Sequence, residues 1–242
     1  MAFLAALLAV AAFAPPPVDA RFDYQIVEAY RPPAGVRVVS RDWSSRPPRR
    51  GYAVCYVNAF QSQPEVSWPP ELVLRREDPG WPGEFLIDIG TPAKRLAAAA
   101  VVQRMIETCA RKGFDAVEYD NLDSWTRVRG LPFGKRDALA YARLIARRAH
   151  ALGLAVAQKN TAELTRAQVR RAGFDFAIAE ECGRDRECGA YRRLYGDRVL
   201  AIEYRRRDFR SACRAVGDRI AVVLRDRDVT APGSRTYRYD TC

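Results

Sequence analysis

Asp120 and Glu180 each stand six residues after a phenylalanine in a repeated frame. In one copy Arg111-Lys112-Gly113-Phe114-Asp115 runs into Ala116-Val117-Glu118-Tyr119-Asp120-Asn121. In the other Arg171-Ala172-Gly173-Phe174-Asp175 runs into Phe176-Ala177-Ile178-Ala179-Glu180-Glu181. Each copy reads as a helix ending at glycine, then a short apolar strand ending in acids. Two carboxylates held at one level of nearby strands suit the cleavage of a glycosidic bond. One carboxyl must be protonated, to give a proton to the leaving oxygen. The other must be ionised, to attack carbon or to activate water. Crowded acids push their pKa values apart, which produces those two states.

Other polar groups gather at strand ends. Asp88 closes Phe85-Leu86-Ile87, Lys159 and Asn160 close Ala155-Val156-Ala157-Gln158, and Glu203 and Tyr204 close Val199-Leu200-Ala201-Ile202. One such ending is ordinary solvated loop chemistry. A succession of them is not needed for stability and points to a site. Lys159 stands out in a chain that otherwise uses arginine almost everywhere. A cleft lysine supplies a compact charge with three donors, able to lower a neighbouring carboxylate's pKa or to bind a hydroxyl. Strand side chains alternate, so Glu118 shares a face with Asp120, and Glu180 with Ile178. Trp81, Tyr119, Trp125 and Tyr204 flank these ends and offer rings to stack on sugars. Asp120 and Glu180 are therefore the expected catalytic pair. Asp88, Glu118, Asn121, Lys159, Asn160, Glu203, Tyr204 and Trp81 are the expected substrate-binding set.

Strands and helices must alternate to place these groups. Strands are expected at 23–27, 36–41, 52–58, 84–89, 116–120, 155–159, 176–180, 199–203 and 220–224. Helices are expected at 92–112, 137–152, 162–172, 191–195 and 208–216. Pro92 suits a first helical turn, and Gly113, Gly153 and Gly173 suit helix ends. This alternation implies parallel strands joined by right-handed crossovers. Eight or nine strands suit a closed barrel better than a small open sheet. The 242 residues fit a single-domain (β/α)8 TIM barrel, with an extra strand allowed for. The C-terminal ends of the strands are where such barrels carry their active sites.

The chain has 48% hydrophobic residues and a formal net charge of +11, nearly all from arginine spread along it. Scattered arginines chiefly keep a surface soluble. The apolar run from Phe3 to Phe13, followed by Ala14-Pro15-Pro16-Pro17-Val18-Asp19-Ala20, reads as a signal peptide over 1–20. The mature domain is then 21–242, in a secreted, periplasmic or extracellular setting, with no stable membrane insertion after cleavage. Six cysteines agree with export. Cys182–Cys188 and Cys213–Cys242 are the expected disulfides, while Cys55 and Cys109 read as ordinary buried thiols. There is no Cys-x-x-Cys pair, and His150 is the single histidine. It is read as structural, on the helix before Gly153. No Walker loop or Gly-x-Ser-x-Gly elbow occurs. Neither metal nor cofactor is expected, nor a nucleic-acid partner, and the chain is taken as a monomer.

The ordered set Val54-Cys55-Tyr56, Trp81-Pro82-Gly83-Glu84-Phe85-Leu86-Ile87-Asp88-Ile89, Gly113 to Asn121, Gln158-Lys159-Asn160, Glu180-Glu181-Cys182 and Ile202-Glu203-Tyr204 resembles family 114 of the glycoside hydrolases. These are the endo-α-1,4-polygalactosaminidases and their relatives. The resemblance covers roughly residues 22–242. It implies a secreted (β/α) barrel hydrolysing α-1,4-linked galactosamine-type polysaccharide, with the family's proposed catalytic acids on Asp120 and Glu180. The sequence departs from the family at Val57-Asn58-Ala59-Phe60-Gln61-Ser62 and at Ala179-Glu180-Glu181-Cys182, which bears on the substrate subsites. Polygalactosamine is cationic and a protein of +11 repels it at long range; a locally acidic cleft would bind it at short range, and an acetylated or neutral polymer would remove the conflict, so the substrate stays open. Two other readings stay open at this stage. One is a polysaccharide-binding barrel without catalysis; the other is a basic surface protein that binds anionic polymer.

Overall fold

The structure, a computed structural model, describes residues 13–242. The expected signal segment lies, apart from Phe13 to Ala20, outside the described residues. In chain order the strands are β1 (Phe22–Gln25), β2 (Val38–Asp42), β3 (Tyr52–Asn58), β4 (Val73–Asp78), β5 (Trp81–Ile87), β6 (Ala116–Asp120), β7 (Ala155–Lys159), β8 (Phe176–Glu180), β9 (Val199–Glu203), β10 (Ala221–Arg225) and β11 (Tyr239–Thr241). The helices are α1 (Pro92–Lys112), α2 (Lys135–Ala151), α3 (Arg166–Ala172), α4 (Cys188–Tyr195) and α5 (Arg206–Val216).

Eight of these strands form a nearly closed parallel barrel in the order β1-β2-β3-β6-β7-β8-β9-β10, and β11 adds antiparallel to β10. Strands in such a barrel are covered on both faces, which is why β7, β9 and β10 are buried at every position. Tyr24, Val54, Ala157, Phe176, Ile202 and Val223 fill the barrel interior. Val117 and Val156 face outward into the layer of helices, in one cluster with Val102 and Ile145.

The seam between β1 and β10 is closed by side chains. Arg225 Nη1 lies 3.1 Å from Asp23 Oδ1, both side chains being fully buried. The guanidinium also donates to the Thr230 and Arg238 carbonyls at 2.7 and 3.0 Å. A buried ion pair is tolerable when its remaining donors are satisfied in this way.

The internal repeat has a structural basis. Gly113 and Gly173 both take left-handed conformations, with φ of 86° and 85°, as helix C-caps. The aspartate that follows each phenylalanine then secures the base of the neighbouring strand. Asp115 accepts from the Ala53 amide at 2.7 Å, and Asp175 from the Val156 amide at 2.9 Å. His150 Nε2 lies 2.8 Å from Asp175 Oδ2, and its ring stacks on Phe13 at 4.3 Å.

Two expectations are corrected. The segment 84–89 is not a barrel strand. It belongs to β5, which pairs antiparallel with β4 as a hairpin, while β3 pairs directly with β6. The apolar Leu86 and Ile87 are buried on the outside of the rim, where the Ile87 amide donates to the Phe60 carbonyl at 3.1 Å. The partner strand β4 exposes Arg75, Arg76 and Glu77 and carries little apolar signal. Cys55 and Cys109 are not free thiols. They form a third disulfide beside Cys182–Cys188 and Cys213–Cys242. Cys55 faces outward from β3 beneath α1, and the Cα atoms lie 6.0 Å apart, within disulfide reach.

Candidate active site

Ladder register sets Asp120 and Glu180 at one height. Glu118 pairs with Ala157 across β6 and β7, and Ala157 with Phe176 across β7 and β8. Glu180 therefore stands two residues farther along its ladder than Asp120 does. Strands of an eight-stranded barrel are tilted, and their register slips by about one residue per strand. Over two strands the slip cancels the offset. Both carboxylates thus reach the C-terminal mouth together. Lys159, on the strand between them, sits one level lower.

That placement makes Lys159 the hub. Its Nζ, 1% exposed as a side chain, lies 2.8 Å from Glu118 Oε1, 3.1 Å from Asp120 Oδ1 and 3.4 Å from Glu180 Oε2. It also donates to Tyr24 Oη at 2.9 Å. Burial alone would lower the lysine's pKa, but Asp120, Glu118 and Glu180 outweigh it, so the ammonium stays charged well above its usual range. For Asp120, burial pushes the carboxyl up. The Lys159 ammonium and hydrogen bonds from Tyr56 Oη, at 2.7 Å, and the Asn121 amide, at 2.8 Å, more than offset this. Asp120 is held below the ordinary carboxylate range. Glu118 lies deeper, fully buried, and accepts from Tyr24 and Ser40 at 2.9 Å each. Burial pushes its carboxyl up.

Glu180 is held at the mouth by its neighbours. Tyr204 Oη donates to Oε1, and Asn160 Nδ2 to Oε2 at 3.1 Å. The Asn160 Oδ1 in turn accepts from the Glu180 amide at 2.9 Å. Burial raises the Tyr204 hydroxyl's pKa, so it remains a donor. The residue after each acid or lysine turns into the left-handed region: Asn121 at φ 62°, Asn160 at 51° and Glu181 at 55°. Asparagine tolerates that region, whereas glutamate does so only under strain, and such strain gathers at functional sites.

The mouth is a cleft of about 520 Å³. Eight carboxylates line it, Asp42, Asp120, Asp123 and Glu180 among them, against two arginines. Both arginines are engaged. Arg127 pairs with Asp123 at 3.0 Å, and Arg227 lies 3.5 Å from Glu181 and over the rings of Trp81 and Tyr204. Inside a strongly basic chain the cleft is thus locally acidic. A larger groove of about 820 Å³ lies on the helical wall. It holds none of these carboxylates, and convergent polar groups mark the cleft as the site instead.

Of the sequence-derived set, Asp120, Glu180, Asn121, Asn160, Tyr204 and Trp81 line this cleft. Glu118 and Lys159 form its buried underside. Two others are placed elsewhere. Asp88 follows the hairpin and pairs with Lys94 at 2.5 Å while accepting from the Gly90 amide at 2.9 Å. Glu203 points outward from β9 and accepts from the Gly183 amide at 2.6 Å, with Oε2 unpartnered among the described residues. Burial pushes its carboxyl up to about 7.

Sequence reasoning missed Tyr56 and Glu84. Tyr56 sits two positions past Val54 on an inward face, a parity that marks it. Glu84 comes from the hairpin, which its expected place in the barrel had concealed. It accepts from Asn58 Nδ2 at 2.9 Å, and Asn58 Oδ1 accepts from Asn121 Nδ2 at 3.0 Å. Burial, opposed by the Asn58 donor and aided by Asp120 and Asp78, pushes Glu84 up to about 7. The single group of metal-ligand atoms among the described residues is Cys182, Cys188 and Glu203. The two sulfurs are joined in a disulfide, so they offer no thiolate.

The arrangement can hold one ionised carboxylate and a second carboxyl around one ammonium in an acidic cleft. Known proteins share this fold. The structure of Ega3 from Aspergillus fumigatus, in complex with galactosamine, superposes with a TM-score of 0.76 at 18% identity, covering 96% of this chain and 98% of that one. The glycoside hydrolase domain of PelA from Pseudomonas aeruginosa gives a TM-score of 0.58 at 15% identity, over 90% and 98% of the two chains. These likenesses show the shared fold. An uncharacterized protein of Deinococcus radiodurans is 31% identical over 170 residues, 64% of this chain. The match spans 53% of that curated relative's length. The model of glycoside-hydrolase family GH114 matches residues 5–242. The chain belongs to glycoside-hydrolase family GH114.

Proposed function

We propose that this chain is a secreted glycoside hydrolase that cleaves α-1,4-linked galactosamine-type polysaccharide with Asp120 and Glu180. One observation carries the reading: both carboxylates converge on the Lys159 ammonium at the floor of an acidic cleft. Asp120, held ionised, is the nucleophile. Glu180, the more exposed side chain at 26% against 17%, transfers the proton to and from the glycosidic oxygen. Both carboxylates touch one ammonium, at 3.1 and 3.4 Å, and the proposed route is the retaining one, which needs the two carboxyl groups close together, about 5–5.5 Å apart. Asp120 attacks the anomeric carbon as the leaving oxygen takes the Glu180 proton. Water, deprotonated by Glu180, then releases Asp120.

The acidic cleft supports a cationic polymer. It answers the conflict between a basic protein and a basic substrate, because charges within a Debye length of about 8–10 Å outweigh remote ones. In this reading Glu84, which lines the cleft, receives a sugar ammonium group. Three disulfides support an oxidising compartment. No helix among the described residues is long and apolar enough to cross a membrane. The signal peptide over 1–20 and the monomeric state belong to the same proposal.

The test is reducing-end release from polygalactosamine, its N-acetylated form and an anionic exopolysaccharide. Asp120→Asn abolishes release. Glu180→Gln loses release from polymer but keeps it on a substrate with an acidic leaving group. Full activity in either variant on polymer refutes the assignment. Binding without release by the wild type would make the barrel a non-catalytic binder.

A further inference from the structure

The helical wall, remote from the cleft, carries the groove of about 820 Å³. It runs along α2 from Lys135 to Arg147, about 18 Å at the rise of an α-helix. Leu96 of α1, Leu139 and Leu144 of α2 and Ala172 of α3 form an apolar floor, and Leu96 is 55% exposed. Cations rim it. Arg95 and Lys135 are already paired, with Asp137 at 2.9 Å and Glu163 at 3.2 Å. Arg136, Arg143, Arg147 and Arg171 are exposed and have no carboxylate within ion-pair distance among the described residues.

We propose that this groove docks an acidic amphipathic helix of a partner protein. The floor is apolar and the rim positive, so the complement is an apolar stripe flanked by carboxylates. Arg136, Arg143 and Arg147 follow one another at helical spacing along α2, which suits acids at the same spacing on an antiparallel or parallel partner. Guanidinium forks favour carboxylates or phosphates in planar, bidentate contact. No aromatic side chain lines the groove, so neither a nucleobase nor a sugar ring finds a stacking surface. A bilayer surface is flat and would meet the rim without filling the floor. A second copy of this chain does not fit either. The five helices among the described residues carry three carboxylates, Glu107, Asp137 and Asp208, and none of these helices presents an acidic stripe.

The probe is a synthetic peptide of about fourteen residues, with leucines on one helical stripe and glutamates on both flanks. Its fluorescence anisotropy is followed with the intact protein at low and physiological salt. Wild type binds, and binding weakens with salt. The double variant Arg143→Glu/Arg147→Glu weakens it about tenfold or more, while polymer cleavage and the melting temperature stay unchanged. Leu96→Ser weakens it less. Equal binding of a glutamine-substituted peptide, equal binding by the double variant, or no binding at millimolar peptide overturns the proposal. So does sedimentation with phosphatidylglycerol vesicles that depends on the same arginines while the peptide stays free, which would make the surface a membrane site.

Discussion

Replacing Tyr56 with phenylalanine isolates what keeps Asp120 ionised. The Tyr56 hydroxyl donates to Asp120 Oδ2 at 2.7 Å. Its ring also faces the Lys159 ammonium at 5.8 Å, a contact that phenylalanine retains. A hydrogen bond to a charged acceptor contributes about 1.5–3 kcal/mol. At 1.36 kcal/mol per pKa unit, its loss raises the Asp120 pKa by about one to two units. The sign follows from the depressed folded value. Asp120 lends stability above its unfolded pKa of about 3.9, and that stability is lost as pH falls through the lower folded value. Tyr56→Phe forfeits part of it at neutral pH and almost none in strong acid. Activity shows the same shift. The acid limb of kcat/KM for reducing-end release moves upward by about one to two units, with little change on the plateau. Melting curves across pH verify that the variant is folded. An acid limb that stays in place in a folded Tyr56→Phe protein refutes the role given to this hydroxyl and to an ionised Asp120.

Three further outcomes are expected. Glu84→Gln raises KM for deacetylated polymer several-fold and leaves KM for the acetylated form unchanged, with kcat retained in both. Because the Glu84 carboxyl is pushed up to about 7, wild-type KM for the cationic polymer falls as pH rises through that value, a trend the variant loses. Glu203→Gln leaves activity intact, since the side chain faces away from the cleft. The raised folded value means that wild type loses stability as pH rises from about 4.3 toward about 7. The amide avoids that loss, so the variant gains up to about 3 kcal/mol over wild type at pH ~8 and nothing at pH ~4 in urea unfolding. Replacing both Cys55 and Cys109 with alanine removes a link closing 54 residues. It lowers the unfolding free energy by about 4 kcal/mol, read by the same method.

Much of the architecture was written in local chemistry. Gly113 and Gly173 need left-handed backbone, and the Phe-Asp pairs after them need a buried ring and a strand base to cap. That pattern marks β6 and β8 and the common height of their terminal acids within the sequence. Parity along β6 likewise placed Glu118 beneath Asp120, because strand side chains alternate whatever surrounds them. The apolar runs of β7 and β9 were legible as strands for the same local reason.

Which face of a strand looks inward is another matter. Barrel strands are apolar on both sides, so composition does not separate the lumen from the helical wall. Lys159 ends its strand facing the lumen, whereas Glu203 ends its own facing α5, and no local signal distinguishes them. The run through Leu86 and Ile87 has the composition of a buried barrel strand but forms one strand of the hairpin at the rim. That misplacement carried Asp88 into the expected site and kept Glu84 out of it. Cys55 and Cys109 pair because β3 packs beneath α1, a contact 54 residues apart in the chain. The barrel strands from β6 to β10 and the acids at their ends are legible in sequence, since they depend on neighbours a few residues away. Which acids meet is a tertiary matter, because it depends on barrel register, on the hairpin inserted at the rim, and on the buried Lys159 ammonium that draws Glu118, Asp120 and Glu180 together.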